Sequence, residues 1–561
     1  MEHHDTRTAW WKDAVVYQIY PRSFRDSDGD GVGDIRGIIE KLDYLQDLGV
    51  TVVWLSPVYP SPQDDNGYDV SDYRGIDPQF GTLADWDELA AGLHARGMRI
   101  VMDLVVNHSS DEHRWFQSSR ARRDSPYRDF YVWREGRGEG PPNNWAAIFG
   151  GGAWERDAAT GDWYLHLFSK KQPDLNWENP GLRAAVYDTM RWWLDRGVDG
   201  FRMDVINAIS KDQRFPDGDN PEGLQHVFAP RYFMPGPRLL EFYGEMKREV
   251  LSHYDVMTVG EAALGSADFA AAVTDAGSGF FSMIIAFEHV DVDMERHGFA
   301  TKWHRLPFAP GRLVDVLSHW QEALADRGWN CLYLNNHDQP RAVSRFAPDP
   351  RYRREGATML ATALHLLKGT PFVYQGEEIG MTNAPFAALS DYRDLESIAA
   401  FSELTENQGF SVAEALEKIA FRSRDNARTP MQWDASPGAG FTAGAPWIAV
   451  NPNHAQVNVA AERADPHSVL NHYRRLIALR KAEPVIVDGR YARVAADPRL
   501  WAYTRQRGDE RLFVVCNFST DRVPCPTPAG ARFGGRLIGN YPEGDAAADL
   551  GPYEARVHRL A

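Results

Sequence analysis

Cysteine is scarce. Cys331, Cys516 and Cys525 are the three cysteines in 561 residues. None stands in a C-x-x-C pair, which argues against a zinc site. At most one disulfide could form, so a reducing compartment is expected. No run of about 18 apolar residues occurs, so no transmembrane helix and no membrane partner are expected. The segment up to Tyr20 has no basic stretch followed by a long apolar one, so it does not read as a secretory signal, and a cytoplasmic location is expected. Positive charge is in deficit: 61 Lys and Arg stand against 78 Asp and Glu, a net charge of -17. Nucleic acid rewards clustered cations, so it is not an expected partner. No internal repeat or low-complexity tract stands out.

What is present is an ordered, aromatic-rich chain. It is 43% hydrophobic with 18 Trp, and aromatic rings at this density fit large cores and also sugar platforms. The length exceeds what one core supports, so two or three domains are expected. Short apolar runs alternate with helical periodicity. They are Val15–Tyr20, Val52–Leu55, Ile100–Val106, Gly200–Asp204, Val256–Glu261, Ser282–Glu288, Cys331–Leu334 and Pro371–Tyr374. Strands alternating with helices predict a parallel sheet, and eight of them predict a closed (β/α)8 TIM barrel.

Two intervals are too long for plain connections. Residues 109–175 are expected to form a rim subdomain inserted after strand 3. They split the barrel into a first part, 1–108, and a second part, 176–484. The second part includes a long excursion after strand 8. Residues 485–561 change to short strands with turn signals and predict a C-terminal antiparallel β-sandwich domain.

Barrel active sites lie at the C-terminal ends of the strands. Three of these strands run into an acid, at Asp204, Glu261 and Asp338, and Asp103 lies inside a fourth. Several acids converging on one mouth repel one another, a cost that a purely structural role does not explain. Metal catalysis ordinarily brings paired histidines, whereas His108 and His337 each stand beside an Asn. Glycosyl transfer needs one carboxylate nucleophile and one proton donor. Arg202, two positions before Asp204 on the same strand face, is expected to keep Asp204 ionised. A neighbouring carboxylate is expected to raise Glu261 so that it can give up a proton.

At this point the chain resembles the α-amylase family of glycoside hydrolases, in its oligo-1,6-glucosidase and α-glucosidase branch. The matching stretches are Asp103–His108, Gln172–Asn176, Gly200–Asp204, Val259–Glu261, Asn336–Asp338, Gly369–Gly376 and Ser423–Trp433. Each is weak alone, and together in order they are specific. The resemblance implies Asp204 as nucleophile, Glu261 as acid/base and Asp338 as a third acid gripping ring hydroxyls. It places Tyr68 under the sugar ring. It also places Asp65, paired with Arg424 or with Arg428 as the alternative, at the closed far end of an exo-acting pocket. His108, Arg202 and His337 complete the polar contacts, and Phe168 stands on the wall or in the packing behind it. The implied substrate is a small oligosaccharide with a terminal α-glucosyl unit, transglucosylation is compatible, and no organic cofactor is implied.

Residues 26–34 carry Asp26, Asp28, Asp30 and Asp34 with intervening glycines. Four acids this close repel unless a cation binds, so a structural Ca2+ is expected. The stretch lacks the twelfth-position Glu of an EF-hand, because Gly37 stands there. The family resemblance adds the Val32 carbonyl as a ligand.

Val205 follows the nucleophile. In the branch that the chain resembles, Val at this place accompanies α-1,6 linkages and a smaller or polar residue accompanies α-1,4. A branched side chain that narrows the acceptor side would give a preference of about 1–3 kcal/mol. The stretch Gln339–Phe346 lacks the Arg/Asp-rich pattern of sucrose isomerases. An α-1,4-glucosidase and a trehalose-6-phosphate hydrolase remain alternatives. A non-catalytic transporter-associated protein is remote, because the acids are retained.

Overall fold

A computed structural model describes residues 9–221, 223–295, 299, 301–495 and 497–561. The first eight residues of the stretch read for a targeting signal lie outside them. Eight parallel strands form one sheet in the order β10-β11-β1-β2-β3-β7-β8-β9. They are β1 (Val16–Ile19), β2 (Val52–Leu55), β3 (Arg99–Val105), β7 (Gly200–Asp204), β8 (Met257–Glu261), β9 (Met283–Ile285), β10 (Cys331–Leu332) and β11 (Thr370–Tyr374). A parallel bridge between Ile284 and Asn330 closes the ring. All eight expected strands are present. β9 and β10 are shorter than the apolar runs suggest, because the chain leaves the ladder to form the mouth: Glu288–Val290 is already a 3-10 turn, and the Tyr333 hydroxyl donates to the Ala286 carbonyl at 2.6 Å.

Strand alternation explains what points where. Val16, Val52, Trp54, Val101, Met257, Val259, Met283, Ile285 and Phe372 pack together as the plug inside the barrel. Their neighbours Tyr17, Val53, Ile100, Met102, Phe201 and Met203 belong to the shell shared with the helices. The same alternation turns Arg202 and Asp204 inward on β7, and Glu261 inward on β8. Register pairs Asp103 with Arg202 across β3 and β7, so a charged layer sits directly above the apolar plug.

Local chemistry sets the connecting helices. Thr82 and Asp85 form a reciprocal capping box at the start of Leu83–Ala95. Asn179 caps Pro180–Asp195, with Pro in the first turn. Gly49 ends Leu42–Leu48 at φ +94°, a left-handed cap.

Between β3 and β7 lie three short antiparallel strands, β4 (Trp133–Arg134), β5 (Trp154–Arg156) and β6 (Trp163–Leu165), in the order β4-β6-β5. Bridges from His108 to Asp174 and from Tyr131 to Leu175 tie this excursion to the barrel rim. After β11 the chain is mainly helical.

The C-terminal residues form one five-stranded antiparallel sheet, β12-β13-β14-β16-β15. Its strands are Arg490–Arg493, Leu500–Arg507, Glu510–Asn517, Ala555–Leu560 and Phe533–Gly539 in that spatial order. Instead of a second full sheet, the described residues give a single outlying bridge, Val523 to Leu550. One face, with Trp501, Tyr503, Val514 and Val557, joins the barrel core. The other face, with Ala502, Phe513 and Val515, is covered by Val523 and Leu550. The barrel takes the place of the expected second layer.

Candidate active site

One cavity of about 230 Å³ opens at the C-terminal end of the barrel, lined by Asp204, Glu261 and Asp338. At its floor Arg202, which is buried, serves three acids. Its Nη1 donates to Asp103 Oδ1 at 2.6 Å and to Asp204 Oδ1 at 2.7 Å. Its Nη2 lies 2.6 Å from Glu261 Oε1, an ionic contact without hydrogen-bond alignment. Asp103 is held in turn by Trp54 Nε1 at 2.8 Å and the Tyr68 hydroxyl at 3.2 Å.

Burial pushes the Asp204 carboxyl well above its ordinary range. Arg202 opposes that shift, and Glu261 and Asp103 reinforce it. One guanidinium is divided among three carboxylates, so these acids share their protons as a set and do not titrate independently.

Val205 follows Asp204 at φ +35° and ψ +40°, a left-handed conformation that is an outlier for a β-branched residue. The turn brings the Val205 amide to Glu261 Oε2 at 2.9 Å. The Val205 side chain lines the cavity.

Asp338 sits among cations. Arg428 Nη2 donates to its Oδ1 at 3.0 Å and Arg424 Nη1 at 3.3 Å, and His337 Nε2 lies 3.0 Å from its Oδ2. Burial alone would raise this carboxyl, but His337, Arg424 and Arg428 outweigh it and hold Asp338 well below the usual carboxylate range. The His337 ring stacks on Tyr68 with centroids 5.0 Å apart and planes 2° apart.

The far end is closed by Arg424 Nη2 donating to Asp65 Oδ1 at 3.1 Å. Arg424 rather than Arg428 makes this contact; Arg428 Nε instead donates to the His337 carbonyl at 3.1 Å. Burial lifts Asp65 to about 7, with Arg424 pulling the other way. His108 Nε2 is 3.1 Å from the Tyr68 carbonyl, and burial lowers its pKa to about 4, so it is neutral at pH 7. Phe168 packs on His108 at 5.1 Å and also lines the cavity. Thus Asp65, Tyr68, His108, Phe168, Val205, His337 and Arg424 share one cavity with the three acids, and Arg202 lies beneath it.

Three supports escaped the sequence reading. Asp394, fully buried, accepts from Arg424 Nε at 3.0 Å and Nη2 at 2.7 Å and so aims it at Asp65. Gln18 Nε2 lies 2.8 Å from His337 Nδ1. Asn335 spans the loop bearing His337 and Asp338 by accepting from the Ala342 amide at 2.7 Å, and it donates to Glu377 at 2.8 Å. No local pattern announces these partners. Only Gln18, a polar residue inside an apolar strand, carried a usable signal.

Away from the cavity, carboxylate oxygens of Asp26, Asp28 and Asp34 lie within 4.8 Å of one another. Asp30 is outside this group; its Oδ1 accepts from the Val32 amide at 2.7 Å. Asp26 also receives the amides of Gly29 at 2.7 Å and Gly31 at 2.9 Å. Asp34 caps the helix Ile35–Ile39 through Gly37 N at 2.7 Å.

Residues 18–489 match the family model "Alpha amylase, catalytic domain". The chain belongs to the alpha-amylase family. It is a glycoside hydrolase, and its eight-stranded barrel is the fold of this family. The chain is 54% identical to an oligo-1,6-glucosidase of Parageobacillus thermoglucosidasius, over 98% of this chain and 99% of that one. It is 46% identical to the trehalose-6-phosphate hydrolase of Bacillus licheniformis, whose crystal structure superposes with a TM-score of 0.91 over 99% of this chain and 100% of that one. The isomaltulose synthase of Klebsiella sp. LX3 is 41% identical, with a TM-score of 0.95 over 99% and 100% of the two chains. No described helix is long and apolar enough to cross a membrane.

Proposed function

We propose that this alpha-amylase family member is an exo-acting, retaining α-glucosidase that hydrolyses terminal α-glucosyl bonds of short oligosaccharides and favours α-1,6 linkages of the isomaltose type. The observation that carries the reading is the single Arg202 guanidinium gripping both Asp204 and Glu261, in a cavity whose far end Asp65 and Arg424 close. One guanidinium spans only a short gap. That fits the close carboxyl pair of retaining enzymes, which has no room for a water between the groups.

Asp204 attacks the anomeric carbon as Glu261 passes its proton to the departing glycosidic oxygen. A glucosyl ester of Asp204 forms, and the acceptor sugar leaves as an alcohol. Glu261, now a carboxylate, takes a proton from water, which displaces Asp204 and regenerates the pair. Asp338, kept ionised by three cationic or proton-donating neighbours, binds ring hydroxyls. His108, neutral, offers a hydrogen bond without adding charge. Tyr68 supplies the apolar face on which the ring rests. The Asp65–Arg424 pair blocks extension beyond the terminal glucose, which accounts for exo action.

Relatives named for trehalose 6-phosphate fit the same fold. Yet the cavity's cations are already engaged: Lys302 with Glu396 at 2.6 Å, Arg422 with Asp293 at 2.8 Å, and Arg424 with Asp65 and Asp394. A phosphate would have to displace existing ion pairs. Sucrose isomerisation is disfavoured because Arg341 and Arg345, after the third acid, are buried ties to Gln375 and Asp293.

The same reading includes a structural Ca2+. Three carboxylates of the 26–34 loop already converge, and the donor set is all oxygen, as a hard cation requires. Asp26, Asp28 and Asp34 would hold it, with Asp30 and the Val32 carbonyl completing the shell. Its effect would be on stability, not chemistry. The unpaired Cys331, Cys516 and Cys525 support a reducing, cytoplasmic setting. A panel of isomaltose, panose, maltose, sucrose and trehalose 6-phosphate tests the function. Isomaltose as the best substrate supports the reading, and a best rate on the phosphorylated sugar overturns it.

A further inference from the structure

We propose that Lys211 is a positioning residue that acts through Asn107 to fix the ring proton of His108 on Nε2. The consequence for rate rests on the α-glucosidase reading, whereas the place of the proton on the ring does not.

Lys211 lies just beyond the Ile206–Ala208 turn that follows β7, and its side chain is buried. Its Nζ is 2.8 Å from Asp174 Oδ2 and donates to Asn107 Oδ1 at 2.8 Å. A lysine head group bound to a carboxylate only donates, so the oxygen of the Asn107 amide must face it. The amide nitrogen is thereby turned the other way, 3.2 Å from His108 Nδ1 and 3.3 Å from Asp174 Oδ2. An amide NH2 also only donates, so His108 Nδ1 has to accept and carries no proton.

The other side of the ring agrees. His108 Nε2 is 3.1 Å from the Tyr68 carbonyl, which can only accept. Gln172 Nε2 lies 3.2 Å from the same ring nitrogen and by itself favours the opposite tautomer. Its orientation is fixed, because Gln172 Oε1 accepts from the Ser169 amide at 3.0 Å. That nitrogen, however, already donates to Asp65 Oδ2 at 3.1 Å and to the Tyr68 carbonyl at 3.3 Å. Among the described residues the acceptor that meets the ring is therefore Tyr68, at Nε2. A second proton finds only a donor at Nδ1. The charges around the ring are Lys211 and Asp174, with Asp65 behind Gln172. Burial lowers His108 to about 4, Asp174 opposes this, and Lys211 adds to it.

The transition state of glucosyl transfer is oxocarbenium-like and gains positive charge. A neutral ring gives a hydrogen bond without opposing that charge, whereas an imidazolium in the same cavity wall opposes it. Without Lys211, the Asn107 amide is free to turn its oxygen to Nδ1, and the Asp174 charge is left unbalanced. Both changes favour a second proton on His108.

Kinetics use the whole enzyme with p-nitrophenyl α-glucoside from about pH 5 to about pH 8, the range over which a histidine changes charge. Lys211→Met should lower kcat/KM about tenfold at the acid end and progressively less towards the alkaline end. Asn107→Asp keeps Lys211 paired and sets an acceptor against Nδ1, so it should show the same pH-dependent loss and decides the matter where Lys211→Met does not fold. In a His108→Gln background the pH dependence of both losses should vanish. Nitrogen-15 spectra of enzyme labelled in its histidine rings give the proton directly, with the His108 signals identified by their absence from His108→Gln. They should show Nδ1 bare in the unaltered enzyme and protonated in Asn107→Asp at the acid end. A proton on Nδ1 in the unaltered enzyme, a loss independent of pH in the variants, or a pH-dependent loss that survives His108→Gln overturns the inference. An enzyme that leaves α-glucosides uncleaved sinks the α-glucosidase reading, and the spectra then decide the place of the proton by themselves.

Discussion

The Val205 amide donates to Glu261 at 2.9 Å. On the proposed reading, the residue that follows the nucleophile thereby also positions the acid/base, and it lines the same cavity. The proposal thus places linkage choice and proton delivery on one strained residue, at φ +35°.

Val205→Ala should therefore raise kcat/KM on maltose relative to isomaltose by about tenfold, since 1.4 kcal/mol suffices. The backbone amide remains, so activity on isomaltose should persist. Steady-state kinetics on the two disaccharides decide it. An unchanged ratio would make Val205 a packing residue only.

Asp204→Asn should abolish turnover, because an amide cannot form the glucosyl ester. Glu261→Gln should lose about 10²–10⁴-fold on isomaltose and far less on p-nitrophenyl α-glucoside, whose leaving group needs little protonation. Equal losses on both substrates would remove Glu261 from the acid role.

Calcium removal should lower the melting temperature more than it lowers activity at low temperature, because an ion bound only by the folded chain stabilises it by mass action. Asp26→Asn should reproduce the loss and abolish the response to added Ca2+. A melting temperature indifferent to chelator contradicts the metal proposal.

Acid should destabilise the fold through buried histidines. Burial lowers His108 and His289 to about 4, and His365 and His472 to about 3. The unfolded chain titrates near 6.5. Their folded pKa values are depressed, so above about 6.5 neither state binds the proton. As the pH falls from about 6.5 towards 3–4, the unfolded chain gains protons that the folded one refuses, and stability drops. Melting temperatures from pH 7 to 4 should fall steadily. His365, whose ring nitrogens have no hydrogen-bond partner, should contribute, so His365→Phe should flatten part of the slope.

The barrel was legible because strand alternation and the end-of-strand acids are local patterns. Gly200–Asp204 shows both the apolar run and the inward acid within five residues. The family resemblance supplied Asp65, Tyr68 and Arg424, which no local period identifies. Asp394 was not legible: its partner Arg424 is 30 positions away, and only the folded helical excursion brings them together. The electrostatic balance at Asp204 was also hidden, because sequence places Arg202 beside it but does not show that Asp103 and Glu261 claim the same guanidinium. The C-terminal strands were readable, whereas their use of the barrel as second layer depends on tertiary packing.

The central claim is that Asp204 and Glu261 form a retaining pair acting on α-1,6-glucosides. Proton NMR of the glucose first released from methyl α-isomaltoside, whose other product is methyl α-glucoside and adds no free anomer, tests it most directly when recorded before mutarotation. The account predicts α-glucose as the initial product from the non-reducing unit. Initial β-glucose would mean single displacement by water, and would contradict it.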